Sequence, residues 1–276
     1  MTITRFAPSP TGYLHEGHAF SALIAAAAAG PDGSFLLRIE DIDATRCRPE
    51  FEAAIYEDLA WLGLRWETPV RRQSEHFADY RAALTLLEAE GQIYPCFCTR
   101  KEVAAEIAMS AGAPQGPDGP LYPGTCRALS QTARAARIAA GRPYALRLDM
   151  ARAHARTGPL TLVESGVRID ATPQMFGDVV LARKETPTSY HLAVTLDDAL
   201  QGVTLVTRGA DLAPAAHLHR LLQALLDLPE PAWQHHRLLT DASGKRLAKR
   251  DNATPLAELM ARGISPADLR AGLGFA

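Results

Sequence analysis

Two histidines three residues apart follow a short apolar strand and a proline-rich turn: Arg5-Phe-Ala-Pro-Ser-Pro-Thr-Gly-Tyr-Leu-His-Glu-Gly-His18. Ile3 to Ala7 reads as the strand, Pro8, Pro10 and Gly12 break it, and an alanine-rich helix runs on to about Ala29. A helix N-terminus presents unpaired N–H groups and a partial positive charge, which suits it to hold phosphate. His15 and His18 would add ring donors there, and Gly17 leaves room for a flat ligand near the backbone. Taken alone, His-x-x-His is also what an ordinary capped helix can carry.

A second group of reactive residues is Cys96-Phe-Cys98 with Cys126, inside a stretch from Tyr94 to about Arg127 that is rich in Pro, Gly and Cys. Such a segment has little apolar core, and zinc is the usual staple in a reducing compartment. Three thiolates leave a tetrahedral ion one ligand short, and the alternative is three free or structural cysteines. Cys47 lies apart from this group and reads as a bystander.

The elements that must position these residues follow a pattern. Gly30-Pro31-Asp32-Gly33 stops the first helix, and Phe35 to Ile39 reads as a buried strand with Glu40-Asp-Ile-Asp43 at its carboxyl end, where ligands of open α/β sheets bind. Phe51 to Gly63 and Phe77 to Gly91 read as amphipathic helices. After the irregular stretch come a strand at Asp178–Ala182, a helix at Ser189–Leu200, a strand at Val203–Thr207 leading to Arg208, and a helix at Leu212–Leu226. Leu238 to Asp251 reads as a loop with a basic cluster, followed by short helices near Leu256 and Ala267. Alternating strands and helices predict an α/β fold with a Rossmann-type parallel sheet and right-handed crossovers. The expected division is 1–92 and 178–237 for the two halves of the Rossmann domain, 93–177 for an insertion with the zinc site, and 238–276 for the basic loop and a helical stem.

The N-terminal run resembles the start of the class I glutamyl-tRNA synthetase family, with its strand, APSPTG turn and HIGH-type motif. Glu16 stands where that family usually has an apolar residue. LRIEDID at Leu37–Asp43, Gln73-Ser74, the Tyr190 segment and Thr207-Arg-Gly-Ala-Asp211 fit the same family. Arg246-Leu-Ala-Lys-Arg250 resembles its KMSKS element, with Arg246 for the first lysine and Ala248 for the serine. The resemblance implies activation of L-glutamate by ATP with Mg2+. His15 and His18 would face the charge on the α-phosphate, with Gly17 beside them, while Arg246 and Lys249 would meet the departing pyrophosphate. Arg5 and Arg208 would grip the two carboxylates in bidentate forks, although either could be a structural ion pair. Glu40 and Tyr190 would contact the amino group, and Ala7 and Ser9 would line the same pocket.

Tyr122-Pro-Gly-Thr-Cys126 resembles the zinc site of the branch of the family that glutamylates queuosine in tRNA(Asp), where tyrosine is the fourth ligand. Val194, where full-length glutamyl-tRNA synthetases usually carry asparagine, points to the same branch. Only about 25 residues follow Arg250, too few for an anticodon-binding domain. The expectation is glutamate activation without tRNA and transfer to queuosine on the tRNA(Asp) anticodon stem-loop. The alternatives are charging of a tRNA 3′ end, a non-catalytic RNA-binding paralogue, and transfer of a nucleotidyl group to another small carboxylate.

The composition is compatible with this. The hydrophobic fraction of 47% supplies an ordinary globular core. A net charge of −2 gives no global support for an RNA partner, though a local basic patch would suffice. No signal peptide or membrane span is read, so a cytoplasmic monomer is expected.

Overall fold

In a computed structural model the chain is described over residues 1–109, 114–239 and 254–275, the side chain of Met109 excepted. Strand β1 (Ile3–Phe6) leads through the proline turn into helix α1 (Glu16–Ala29). Gly30, at φ 72°, ends that helix. Gly33 then permits a turn in which any Cβ would lie 2.0 Å from the Ala29 carbonyl oxygen. Next come β2 (Ser34–Ile39), α2 (Pro49–Trp61), β3 (Glu67–Arg72), α3 (Phe77–Ala89), β4 (Ile93–Cys96) and α4 (Arg100–Met109). A short hairpin, β5 (Gln115–Gly116) and β6 (Gly119–Pro120), precedes α5 (Gln131–Ala139), β7 (Ala145–Leu148), α6 (Met150–Thr157), β8 (Thr161–Glu164) and β9 (Val167–Asp170). The chain continues through β10 (Val180–Ala182), α7 (Tyr190–Leu200), β11 (Leu205–Gly209), α8 (Ala213–Leu225) and β12 (Ala232–His236), and then α9 (Leu256–Ala261) and α10 (Pro266–Gly272).

The predicted α/β class with a parallel sheet is what the strands form. β1, β2 and β3 pair in parallel, as do β11, β12 and β8, with β9 antiparallel at the edge. The two sheets meet along β1 and β11, where the Ile3 N–H donates to Thr204 Oγ1 (2.9 Å) and the Thr204 N–H to the Ile3 carbonyl (3.0 Å). Arg5 and Arg208 are thereby carried on adjacent strands. A separate antiparallel sheet holds β10, β7 and β4. Strand partnership therefore runs across the segments read from sequence. Val180–Ala182, in the stretch assigned to the second Rossmann half, pairs with β7, while Thr161–Glu164, in the stretch assigned to the insertion, pairs with β12. The stretch from Tyr94 to Arg127 is also less irregular than its composition suggests, because α4 and the hairpin fall within it.

Of the four apolar clusters among the described residues, the two largest hold most of the layers. One gathers Leu23, Leu37, Ile55 and Leu59 with Leu256 and Leu269 of the C-terminal helices. The other packs Tyr80, Leu148, Leu181, Leu192 and Leu222 between α3, α6, α7 and α8 and the antiparallel sheet. No helix among the described residues is long and apolar enough to cross a membrane.

One residue is out of place in the first core. Asp58 is 2% exposed on the inner face of α2, and its Oδ2 has no hydrogen-bond partner among the described residues. Burial, with Glu57 adding to it, pushes the carboxyl from 3.8 up to about 6. The native state thus holds this proton more tightly than the unfolded chain. Its stabilising effect is complete below pH 3.8 and is lost as pH rises through about 6. At pH 7 the ionised group costs about 2–3 kcal/mol. Asp58→Asn should raise stability at pH 7 by about 1–3 kcal/mol and flatten that fall; urea unfolding across pH 4–7 checks both, and an unchanged profile removes Asp58 as its cause.

Candidate active site

A cavity of about 570 Å³ opens at the carboxyl ends of β1, β2 and β11 and the N-terminus of α1. Arg5, Ala7, Ser9, His15, Gly17, His18, Glu40, Tyr190 and Arg208 all line it. The fold therefore brings together every described residue that the sequence assigned to glutamate or ATP. Lys249, Arg246 and the rest of the basic cluster lie outside the described residues. Leu239 lines the cavity, and Pro255 bridges to His15 while the Leu256 N–H donates to the Leu14 carbonyl (2.9 Å), so both flanks of that stretch reach the site.

The two histidines cap their own helix. His15 Nδ1 accepts from the Gly17 N–H (3.1 Å) and His18 Nδ1 from the His15 N–H (3.2 Å), forming a capping box. Because a backbone N–H can only donate, each neutral ring carries its proton on Nε2. Each is thus oriented as an N–H donor at a helix N-terminus, the arrangement that suits a phosphate oxygen. Gly17 serves this geometry directly: a Cβ there would come within 2.9 Å of His15 Cε1.

Arg5 is buried and already engaged, with Nε and Nη2 on Asp198 (2.9 and 3.3 Å) and Nη1 on the Thr207 carbonyl (3.2 Å). Asp198 also takes Arg38 Nη1 (2.8 Å), and Arg38 Nη2 reaches Glu40 (3.2 Å). Burial alone would push Asp198 up, but Arg5 and Arg38 outweigh it and hold the carboxyl below the usual carboxylate range. Burial pushes Glu40 up, against the pull of Arg38 and Arg5. A cationic partner in the cavity would stabilise its ionised form, which is what an ammonium group supplies.

Arg208 differs from Arg5. Its Nε donates to His235 Nε2 (3.1 Å) and its Nη1 to Tyr190 Oη (3.4 Å), but Nη2 is buried with no hydrogen-bond partner among the described residues. Arg208 lines the cavity, and a guanidinium left with one nitrogen unsatisfied is suited to pair with a carboxylate. Val194 is buried in α7 and does not line the cavity. The residues missed from sequence are Arg38, within β2, and Asp197 and Asp198, whose only local signal was a pair of acids near the end of an otherwise apolar helix. Asp197, fully buried, accepts from Arg71, Gln73 and Tyr80.

A second constellation lies outside this cavity. The sulfurs of Cys96, Cys98 and Cys126 sit within 4.8 Å of one another. Tyr122 Oη is 3.3 Å from Cys96 Sγ and 3.5 Å from Cys98 Sγ, and it accepts from the Cys126 N–H (2.9 Å). Three sulfurs and one phenol oxygen converging on one point could hold a tetrahedral ion, and the donor set fits zinc.

Known proteins agree with this geometry. Residues 1–273 match the family model for the catalytic domain of class I tRNA synthetases (E and Q). A glutamyl-Q tRNA(Asp) synthetase of Rhodobacter capsulatus is 50% identical over 99% of this chain and 100% of its own length. A protein of the same name from Deinococcus radiodurans is 44% identical over 99% of this chain and 88% of its own. Among solved structures, a glutamate-tRNA synthetase of Elizabethkingia anophelis superposes with a TM-score of 0.77 at 28% identity, over 91% of this chain and 53% of the other. The present chain thus spans about half of that synthetase. With the helix-capping histidines and the arginine-lined cavity, these matches establish that the chain belongs to the catalytic-domain family of class I tRNA synthetases for glutamate and glutamine, and that it is an enzyme of the ligase type.

Proposed function

We propose that the chain activates L-glutamate with ATP, without needing tRNA, and passes the glutamyl group to queuosine at the wobble position of tRNA(Asp). In the first step a glutamate carboxylate attacks the α-phosphate, and pyrophosphate, accompanied by Mg2+, leaves. In the second a queuosine hydroxyl attacks the mixed anhydride and AMP leaves. The observation that carries the reading is that Arg208, whose Nη2 has no partner among the described residues, lines the same cavity as Glu40. It offers a carboxylate partner and an ammonium partner to one small molecule.

Arg208 holds one glutamate carboxylate, Arg5 supports the pocket through Asp198 and faces the other, and Glu40 and Tyr190 take the amino group. Ala7 and Ser9 shape the wall. His15 and His18 donate from Nε2 to the phosphate as charge develops, with Gly17 giving clearance, and Lys249 with Arg246 neutralise the pyrophosphate. Cys96, Cys98, Cys126 and Tyr122 would hold one structural zinc. The names and coverage of the two relatives described above, together with Val194 in place of asparagine, support queuosine as the acceptor.

Glutamate-dependent ATP–pyrophosphate exchange, run without tRNA and then with unfractionated tRNA, tests the reading. Exchange without tRNA followed by label in queuosine of tRNA(Asp) is the expected result. Exchange only with tRNA, and label on the terminal adenosine, would identify a 3′-charging enzyme. No exchange from folded protein would leave a non-catalytic paralogue or another substrate. The same preparation should contain about one zinc per chain, and metal-free protein of equal stability would remove the zinc.

A further inference from the structure

Arg208 stands at the centre of two one-way hydrogen-bond chains. A guanidinium only donates. Its Nη1 lies 3.3 Å from His219 Nδ1, so that nitrogen accepts and the His219 proton sits on Nε2. His219 Nε2 is 3.1 Å from His191 Nδ1, which must therefore accept, leaving the His191 proton on Nε2. That atom is 3.2 Å from Asp118 Oδ2 in the turn of the β5–β6 hairpin. On the other side Arg208 Nε donates to His235 Nε2 (3.1 Å), and His235 Nδ1 donates to Glu164 Oε2 (2.7 Å). The parallel register of β11, β12 and β8 builds this second arm, placing Arg208 opposite His235 and Trp233 opposite Glu164.

Both arms require singly protonated imidazoles. A second proton on His219 would set an N–H against a guanidinium N–H. Burial first, then the charge of Arg208, keeps His219, 3% exposed, well below the ordinary histidine range. The same two causes lower His235. Two of the three nitrogens of Arg208 are thus directed, Nε by His235 and Nη1 by Tyr190 and His219, away from Nη2, which has no partner among the described residues.

We propose that His219 and His191 are positioning residues that aim Arg208 at the substrate carboxylate, and that Asp118 ties this aim, and hence glutamate affinity, to the placement of the β5–β6 hairpin. The proposal rests on the glutamate reading of the cavity. The glutamate pocket is then not rigidly built into the parallel sheet. One of its two supports comes from the segment that also carries the cysteine cluster, so a macromolecular substrate that moves the hairpin changes glutamate affinity.

The test is ATP–pyrophosphate exchange with unfractionated tRNA present, measuring KM for glutamate and for ATP separately. His219→Leu removes both hydrogen bonds; His219→Gln keeps an acceptor toward Arg208 and a donor toward His191. His219→Leu should raise the glutamate KM about tenfold, the scale of a hydrogen bond to a charged group, with the ATP KM unchanged. His219→Gln should recover most of the loss. Asp118→Ala, on an exposed turn, should raise the glutamate KM severalfold, and Asp118→Asn, which keeps an acceptor, should not. An unchanged glutamate KM in His219→Leu, or equal damage from Leu and Gln, overturns the positioning role. If His219→Leu does not fold, Asp118→Ala decides: an unchanged glutamate KM overturns the tie. A wild-type chain with no glutamate-dependent exchange overturns the cavity reading and this proposal together, whereas normal wild-type exchange with unaffected variants overturns only the proposal.

Discussion

Arg208→Ala should lower kcat/KM for glutamate in the exchange reaction by about two to three orders of magnitude. Removing one member of a buried charged pair costs about 2–5 kcal/mol, and each 1.4 kcal/mol is a factor of ten. The middle of that range gives the stated loss. Most of it should fall on glutamate and little on ATP, because the histidines proposed to face the phosphate stand on a different element, the N-terminus of α1. Arg208→Lys keeps the charge but gives up the fork and the bonds that Nε and Nη1 make to His235, Tyr190 and His219. It should therefore fall between wild type and alanine. A thermal melt on each variant separates loss of binding from loss of fold. Less than a tenfold change in kcat/KM for Arg208→Ala would place the substrate carboxylate elsewhere in the cavity.

Asp198→Asn should destabilise the chain by about 3–5 kcal/mol at pH 7, the usual penalty for stripping a buried ion pair of one partner. The asparagine keeps the shape but not the charge, and it leaves both Arg5 and Arg38 buried with less compensation. Arg38 is completely buried, with Glu40 and Asp197 as its remaining carboxylates at 3.2 and 3.9 Å. The damage should reach function as well, since Arg5 and Glu40 both line the cavity. The acid dependence has a definite sign. Asp198 is held below its ordinary value of 3.8, so its stabilising effect is present above that pH and is lost as pH falls through the lower native value. The asparagine variant should lack that acid-side loss and already be weak at neutral pH. Urea unfolding at pH 7 and near pH 3 measures both limbs. A variant within 1 kcal/mol of wild type at pH 7 would mean that the two arginines find other partners.

Asp58 and Asp198 make a pair of opposites. Both are buried carboxylates, yet one is raised because no cation among the described residues offsets its burial and the other lowered because two guanidiniums do. Burial sets the penalty in each case, and the partner decides the sign.

The sequence by itself determined the features that are local. The strand, proline turn and histidine-capped helix are written in eighteen consecutive residues, and their geometry follows from breakers and caps that act within a few positions. Glu40 and Arg208 were legible for a similar reason, since each lies at or just beyond the end of an apolar run. The Cys-x-Cys spacing with Tyr122 and Cys126 also survives as proximity in space.

Only the tertiary structure decided who partners whom. Strands β3, β4, β7, β8, β9 and β12 and the β5–β6 hairpin were not read, because stretches of two to six residues hold too few alternations to stand out from turns. For the same reason nothing local says that Thr161–Glu164 joins β12 while Val180–Ala182 joins β7. Hydrogen bonding along a strand is chemically uniform, so its partner is chosen by which faces become buried together. Asp198 meets Arg5 across 193 positions, and Asp118 meets His191 across 73. A side chain's type shows that it can donate or accept, but the packing of α7, α8 and β11 is what sets His191, His219 and Arg208 in line.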